Sequence, residues 1–372
     1  MKAAAPNAVG PMAVATGTVP AAKVPAIVLG GTGYVAGELL RLIAAHPRLK
    51  VAGILSDSQP GAAVRDAFPH LRCTYPELRF AGLEELERLA GELPQCALFS
   101  AAPHGVAAGI IDRLLGAGER AGGRLHCVDI SADFRYRSAG AYEAVYRHAH
   151  GAPKRLPEFT CAVPEHLASA PTPHVSHPGC FATATLLASV PLLTLGLTDT
   201  RLFVTGITGS TGSGRRPTEG THHPQRHSDL YSYGALSHRH VPEITACAER
   251  AAGVEAEFNF VPHSGPFARG IHVTVQASLK RSLSTAEAIE ALAGFYANCP
   301  FVRVIETPPR VKDVATSNYA HLSAVSNGNS IAVMAVLDNL NKGAAGGGVQ
   351  WMNRLLGFEE TLGLEAPAPG WT

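Results

Sequence analysis

The sequence predicts an α/β fold: a doubly wound parallel sheet followed by a second domain of α+β character built on a mixed sheet. Three observations carry this. From Lys23 to about Pro173 short apolar strands alternate with helical stretches, the pattern of a mostly parallel sheet. A glycine-rich turn follows the first of those strands. Beyond residue 200 the apolar runs lengthen and partly alternate, which marks strands with one solvated face.

Ala26 to Leu29 is the first strand. It runs into Gly30, Gly31, Thr32, Gly33, Tyr34, Val35, Ala36 and Gly37, then into Glu38, Leu39, Leu40, Arg41, Leu42 and Ile43 at helical spacing. Strand, glycine turn and helix in this order are the phosphate-binding unit of a Rossmann-like domain. Glycines let backbone approach a pyrophosphate, and the helix N-terminus offers N–H donors and positive potential. Gly30, Gly31, Thr32, Gly33, Tyr34 and Val35 are therefore candidate dinucleotide contacts. Val51 to Leu55 is the second strand, ending at Ser56, Asp57 and Ser58. The two hydroxyls suit a ribose 2′-phosphate and the carboxylate suits a free 2′-OH, so this loop leaves NADP and NAD both open. Ala97 to Ala101 leads into Pro103 and His104, and Leu125 to Ile130 into Ser131, Ala132, Asp133, Phe134 and Arg135. Both loops fall at C-terminal strand ends, where open α/β sheets bind ligands.

Cys180 stands in the run SHPGCFATAT, Ser176 to Thr185, directly after a Pro-Gly turn. A thiol at a helix start meets unpaired N–H groups and the positive end of the helix dipole, which favour the thiolate. Cys180 is the candidate nucleophile, against the plainer reading of a buried cysteine acting as a small hydrophobe. A dinucleotide and a nucleophilic thiol together point to hydride transfer to or from a thioester. The stretch Ala182 to Leu197 reads as a helix that ends and turns at Pro191.

Phe203 to Ile207, Glu257 to Val261, Gly270 to Leu279 and Ser330 to Leu337 are the strands of the second domain, which carries the substrate side and a subunit interface. His238 and His240 flank Arg239 ahead of Val241, Pro242 and Glu243, where Pro242 fits a first helical turn. One of these histidines is the candidate acid/base partner of Cys180, with Glu243 orienting a ring. His222, His223 and His227 raise zinc as a rival, but their spacing matches no compact ligand pattern and no metal is assigned. Asn341 to Leu356 holds a Gly/Ala cluster and then a helix through Val349, Met352 and Leu355 that folds back on the first domain.

Composition narrows the class. A net charge of +1 over 372 residues implies no nucleic-acid partner. No segment is long and apolar enough to span a bilayer. Seven cysteines without paired spacing fit reduced thiols and a cytoplasmic setting. The boundaries expected are a disordered lead over 1–23, a dinucleotide domain over 24–176, a catalytic and oligomerisation domain over 177–338, and a C-terminal segment over 339–372.

The strings HPGCFATA (177–184), SADFR (131–135), GSTGSGR (209–215), HRHVPEI (238–244), PHSGPFARGI (262–271) and DNLNKGAAGGGVQWMN (338–353) resemble N-acetyl-γ-glutamyl-phosphate reductase. The resemblance runs in order from Gly30 to about Leu364. It implies NADPH-dependent reduction of N-acetyl-γ-glutamyl phosphate to the semialdehyde through a Cys180 thioester, in arginine biosynthesis, by a homo-oligomer acting on a small acyl phosphate. It also implies His240 as acid/base with His238 and Glu243 in support, Asn339 at the nicotinamide end, Gly212 on the cofactor, and Ser131, Arg135, Arg215 and Arg269 on the substrate. Arg215 and Arg269 have a second reading as structural ion-pair arginines, and Lys342 as a solvated surface charge. Two departures stand out: Phe181-Ala182 follows the cysteine where relatives carry Tyr-Pro, and Asp57 stands where a basic residue is frequent. The alternatives are a carrier-protein-bound aminoadipyl-phosphate reductase of lysine synthesis and a non-catalytic NADP-binding protein. The acyl cap, acetyl or succinyl, stays open.

Overall fold

The computed structural model describes residues 22–371, so the disordered lead expected over 1–23 lies, save its last two residues, outside the described residues. Six strands form the first sheet: β1 (Val24–Leu29), β2 (Leu49–Ile54), β3 (Gln95–Ser100), β4 (Arg124–Asp129), β5 (Phe159–Cys161) and β6 (His174–Ser176). Their order is β2-β1-β3-β4-β6-β5 and every pairing is parallel. The chain reverses direction across the sheet between β1 and β3, which opens a crevice at their C-terminal ends. The two short strands β5 and β6 escaped the sequence reading, because three residues carry no period.

The second sheet has seven strands: β7 (Arg201–Thr208), β8 (Tyr231–Ser232), β9 (Glu257–Ser264), β10 (Ile271–Ser278), β11 (Val302–Val304), β12 (Ala320–Ser326) and β13 (Ser330–Leu337). It is mixed: β7 with β9 and β11 with β12 are parallel, the rest antiparallel, in the order β11-β12-β13-β10-β7-β9-β8. One face packs on the helix Cys180–Thr194, which is apolar all round and buried along its length, as a core helix must be. Phe203, Thr205, Gln276 and Val325 point out from the other face and are exposed.

Pro191 corrects the expected helix end. It lies inside the helix, and the Leu187 carbonyl that its missing N–H would have bonded instead accepts from the Tyr296 hydroxyl at 2.7 Å. After β13 a π-helical turn, Asn341–Ala345, leads into the helix Gly346–Leu355, which packs on β4 and on the helix Tyr34–Ala45. Trp351 is fully buried there and its indole N–H donates to the Ala162 carbonyl at 2.8 Å. The C-terminal helix thus belongs to the core of the parallel-sheet domain.

Candidate active site

Cys180 opens its helix with Gly179 as an N-cap that offers no side chain, so the first-turn N–H groups face the thiol region uncapped. Glycine is required at 179 by crowding: a Cβ there would meet the His240 ring at 2.6 Å and the Arg135 Nη1 at 2.9 Å. His240 and Arg135 therefore both press on the residue next to the nucleophile. Burial pushes the Cys180 thiol up from its ordinary value, while the Phe181 N–H and the Arg135 charge pull it down. Burial, then the charges of Arg135, His238 and Arg239, hold His240 well below the usual imidazole range. The resting pair is a thiol beside a neutral imidazole.

Glu243, fully buried in the first turn of the helix Val241–Ala252, does not orient a histidine ring as expected. Its Oε1 accepts from the Gly179 N–H at 2.7 Å and its Oε2 from Arg135 at 3.0 Å, so both oxygens are spent on the backbone ahead of Cys180 and on a buried ion pair. Arg135 in turn donates to the Ile130 carbonyl at 3.0 Å. His238 sits against Phe181, Phe260 and His240, the last ring 4.7 Å away edge-on, and its Nδ1 accepts from the His240 N–H at 3.2 Å. That bond fixes its proton on Nε2. Buried polar atoms without a protein partner gather here: Arg135 Nε, the Tyr136 and Tyr146 hydroxyls and His240 Nδ1. Sequence reasoning passed over both tyrosines and Arg239, whose charge acts on His104, Tyr146 and Tyr233.

Arg269, Ser131, Asn339 and Lys342 are all engaged inside the protein. Arg269 binds Asp338 through Nε and Nη2 at 2.9 and 3.0 Å and Glu38 through Nη1 at 2.7 Å, so its structural reading holds and it has no fork left for a substrate. Ser131 donates its hydroxyl to Asp129 at 2.8 Å and accepts from the Asp133 N–H, which makes it a turn former at the end of β4. Asn339 spends its carboxamide on the Gly270 N–H at 2.7 Å and the Thr211 hydroxyl at 3.0 Å, tying the Ser210–Ser213 loop that contains Gly212 to the start of β10. Lys342, read as a surface charge, is fully buried: its ammonium bonds Glu165 at 2.5 Å and Gln350 at 2.7 Å.

On the cofactor side the turn is made of backbone. Gly30 has φ +120°, and a Cβ there would strike the Ala101 carbonyl at 2.5 Å, so only glycine lets the turn lie across the end of β3. Gly33 is the N-cap of Tyr34–Ala45 with no side-chain cap, and Val35 and Tyr34 open that helix. Cradle and open helix end fit a pyrophosphate. Ser56 is buried beside Gly31, its hydroxyl 3.4 Å from that of Ser58, while Ser58 and Asp57 are exposed. His104, after Pro103, accepts from the Ala132 N–H at 3.0 Å, which joins the β3 and β4 loops. Arg215 lies on this side and not at Cys180: its Nη1 donates to the Thr32 carbonyl at 3.0 Å and its guanidinium lies 5.6 Å from the Phe68 ring centre.

Residues 25–170 match the family model described as the NAD binding domain of semialdehyde dehydrogenase, and residues 180–339 the one described as its dimerisation domain. The N-acetyl-gamma-glutamyl-phosphate reductase of Azotobacter vinelandii is 39% identical over 348 residues, covering 91% of this chain and 96% of that protein. That of Pseudomonas aeruginosa is 37% identical, covering 92% and 98%. The chain belongs to the N-acetyl-gamma-glutamyl-phosphate reductase family. Among solved structures, aspartate semialdehyde dehydrogenase II of Vibrio cholerae shares the two-domain fold at a TM-score of 0.64 with 14% identity, covering 90% of this chain and 98% of that one. As a reductase of the semialdehyde dehydrogenase group, the chain takes a nicotinamide cofactor in the first domain.

Proposed function

We propose that this protein reduces N-acetyl-γ-glutamyl phosphate to N-acetylglutamate semialdehyde and phosphate, with NADPH as reductant, in the cytoplasm. The observation that carries the reading is Cys180 at an uncapped helix start with the His240 ring against Gly179. As the sulfur attacks the acyl carbon, its proton passes to neutral His240; phosphate leaves and a thioester on Cys180 remains. A nicotinamide cofactor held at the glycine turn Gly30–Gly33 would supply the hydride that reduces the thioester carbonyl. His240, now protonated, faces the oxygen charge that develops and returns its proton to the thiolate as the aldehyde departs. The first-turn N–H groups act as oxyanion donors. Arg135 and Glu243 hold the cysteine's backbone in place and act as positioning residues. The unpartnered Tyr136 and Tyr146 hydroxyls and exposed Arg239 are suited to the polar ends of the substrate.

The outward face of the second sheet, with exposed Phe203 and Val325, supports a homodimer through this face. Among the described residues no helix is long and apolar enough to cross a membrane. The activity test runs in the oxidative direction: N-acetylglutamate semialdehyde and NADP should give reduced cofactor only when phosphate is present. Cys180→Ser should abolish this while leaving cofactor binding intact. Equal rates without phosphate, or with the serine variant, would refute the covalent route, and a faster rate with the N-succinyl aldehyde would reassign the substrate.

A further inference from the structure

The charge that a 2′-phosphate needs is absent from the loop after β2, whose charged residue is Asp57. Positive charge stands instead across the interdomain cleft. Arg215 and Arg216 follow the Ser210–Ser213 turn, and Arg215 reaches the glycine turn of the other domain. Together with Thr32, Gly33, Gln59 and Asp66 they line an open cleft of about 640 Å³. Gln59 directly follows Ser58, so the cleft joins the ribose-binding end of β2 to the front of the turn. Among the described residues that line it, Arg215 and Arg216 are the cations and Asp66 the carboxylate. Arg215 is anchored by Thr32 and Phe68, and Arg216 is exposed beside it.

We propose that Arg215 and Arg216 hold the 2′-phosphate of NADPH, so that the second domain supplies the cofactor specificity that the first does not. The assignment rests on the NADPH reading. It adds that the cofactor bridges both domains, with Arg216 as its specificity residue. A guanidinium pair binds phosphate with parallel charge-assisted hydrogen bonds, and Asp57 is exposed and free to turn towards solvent.

The test needs no turnover. Calorimetric binding of 2′,5′-ADP and of 5′-AMP is measured on the wild type, Arg216→Ala and Arg216→Lys; Arg216 is chosen because Arg215 also braces the turn. The wild type should prefer 2′,5′-ADP, Arg216→Ala should lose about tenfold of that preference with 5′-AMP binding unchanged, and Arg216→Lys should keep part of it. A preference that survives Arg216→Ala leaves NADPH in place and overturns the arginine site. Equal weakening of both ligands assigns Arg216 to the 5′-phosphate and also overturns it. A wild type without preference overturns the NADPH reading itself.

Discussion

Around Cys180 polar groups are spent inside the protein: Glu243 on Gly179 and Arg135, and His238 on the His240 backbone. Around the glycine turn they face outward, with Ser58, Asp57 and Arg216 all exposed. The chemical side is organised before any ligand arrives, and the cofactor side is completed by what binds. Substitutions on the first side should therefore change rate, and on the second affinity and choice of cofactor.

The largest effect that would break this contrast concerns the two histidines. His240 lies against Gly179, while His238 reaches the site only through His240 and a cage of Phe181 and Phe260. His240→Asn should lower the rate at saturating substrate by roughly 10²–10⁴-fold and remove the acid/base limb of the pH profile, and His238→Asn should cost less. A larger loss in His238→Asn, with the limb gone, would exchange their roles.

A second test asks whether the buried order behind the site serves stability alone. Lys342→Met leaves the Glu165 carboxylate buried without its cation, which should cost about 3–5 kcal/mol in denaturant unfolding. Activity per folded molecule should persist, because the Lys342 ammonium is taken up by Glu165 and Gln350. A loss of turnover without loss of stability would place this pair in the chemistry.

A third effect is on pH. Burial pushes His177 down to about 3 and His174 to about 4, so both stay neutral in the folded chain. The unfolded chain takes up their protons below about 6.5, so stability is full above that pH and falls as pH drops towards 4. Each group contributes a slope of up to about 1.4 kcal/mol per pH unit. Denaturant midpoints that stay flat between pH 6.5 and 4.5 would show the two rings to be solvated.

What could be read in the sequence was whatever had a local period or a local turn. Ser330–Leu337 matched its expected strand end to end, and the strand before the glycine turn was two residues longer than read. Lys342 was misread because its partners are not local: Glu165 lies 177 positions away, and a π-helical turn, which has no apolar stripe of its own, turns the ammonium inward. Arg269 was left with two readings for the same reason, its partners Asp338 and Glu38 being 69 and 231 positions distant. Glu243 was found by motif, but its role is set by Gly179 and Arg135, which only the fold brings to it.

The central claim is a covalent acyl group on Cys180. It is tested by mixing the protein with N-acetyl-γ-glutamyl phosphate in the absence of reduced cofactor, quenching in acid and mapping the peptides by mass spectrometry. One N-acetylglutamyl group should appear on the peptide containing Cys180, with one phosphate released per site, and neither should appear with Cys180→Ser. Phosphate release without an adduct, or an adduct on another cysteine, would contradict it.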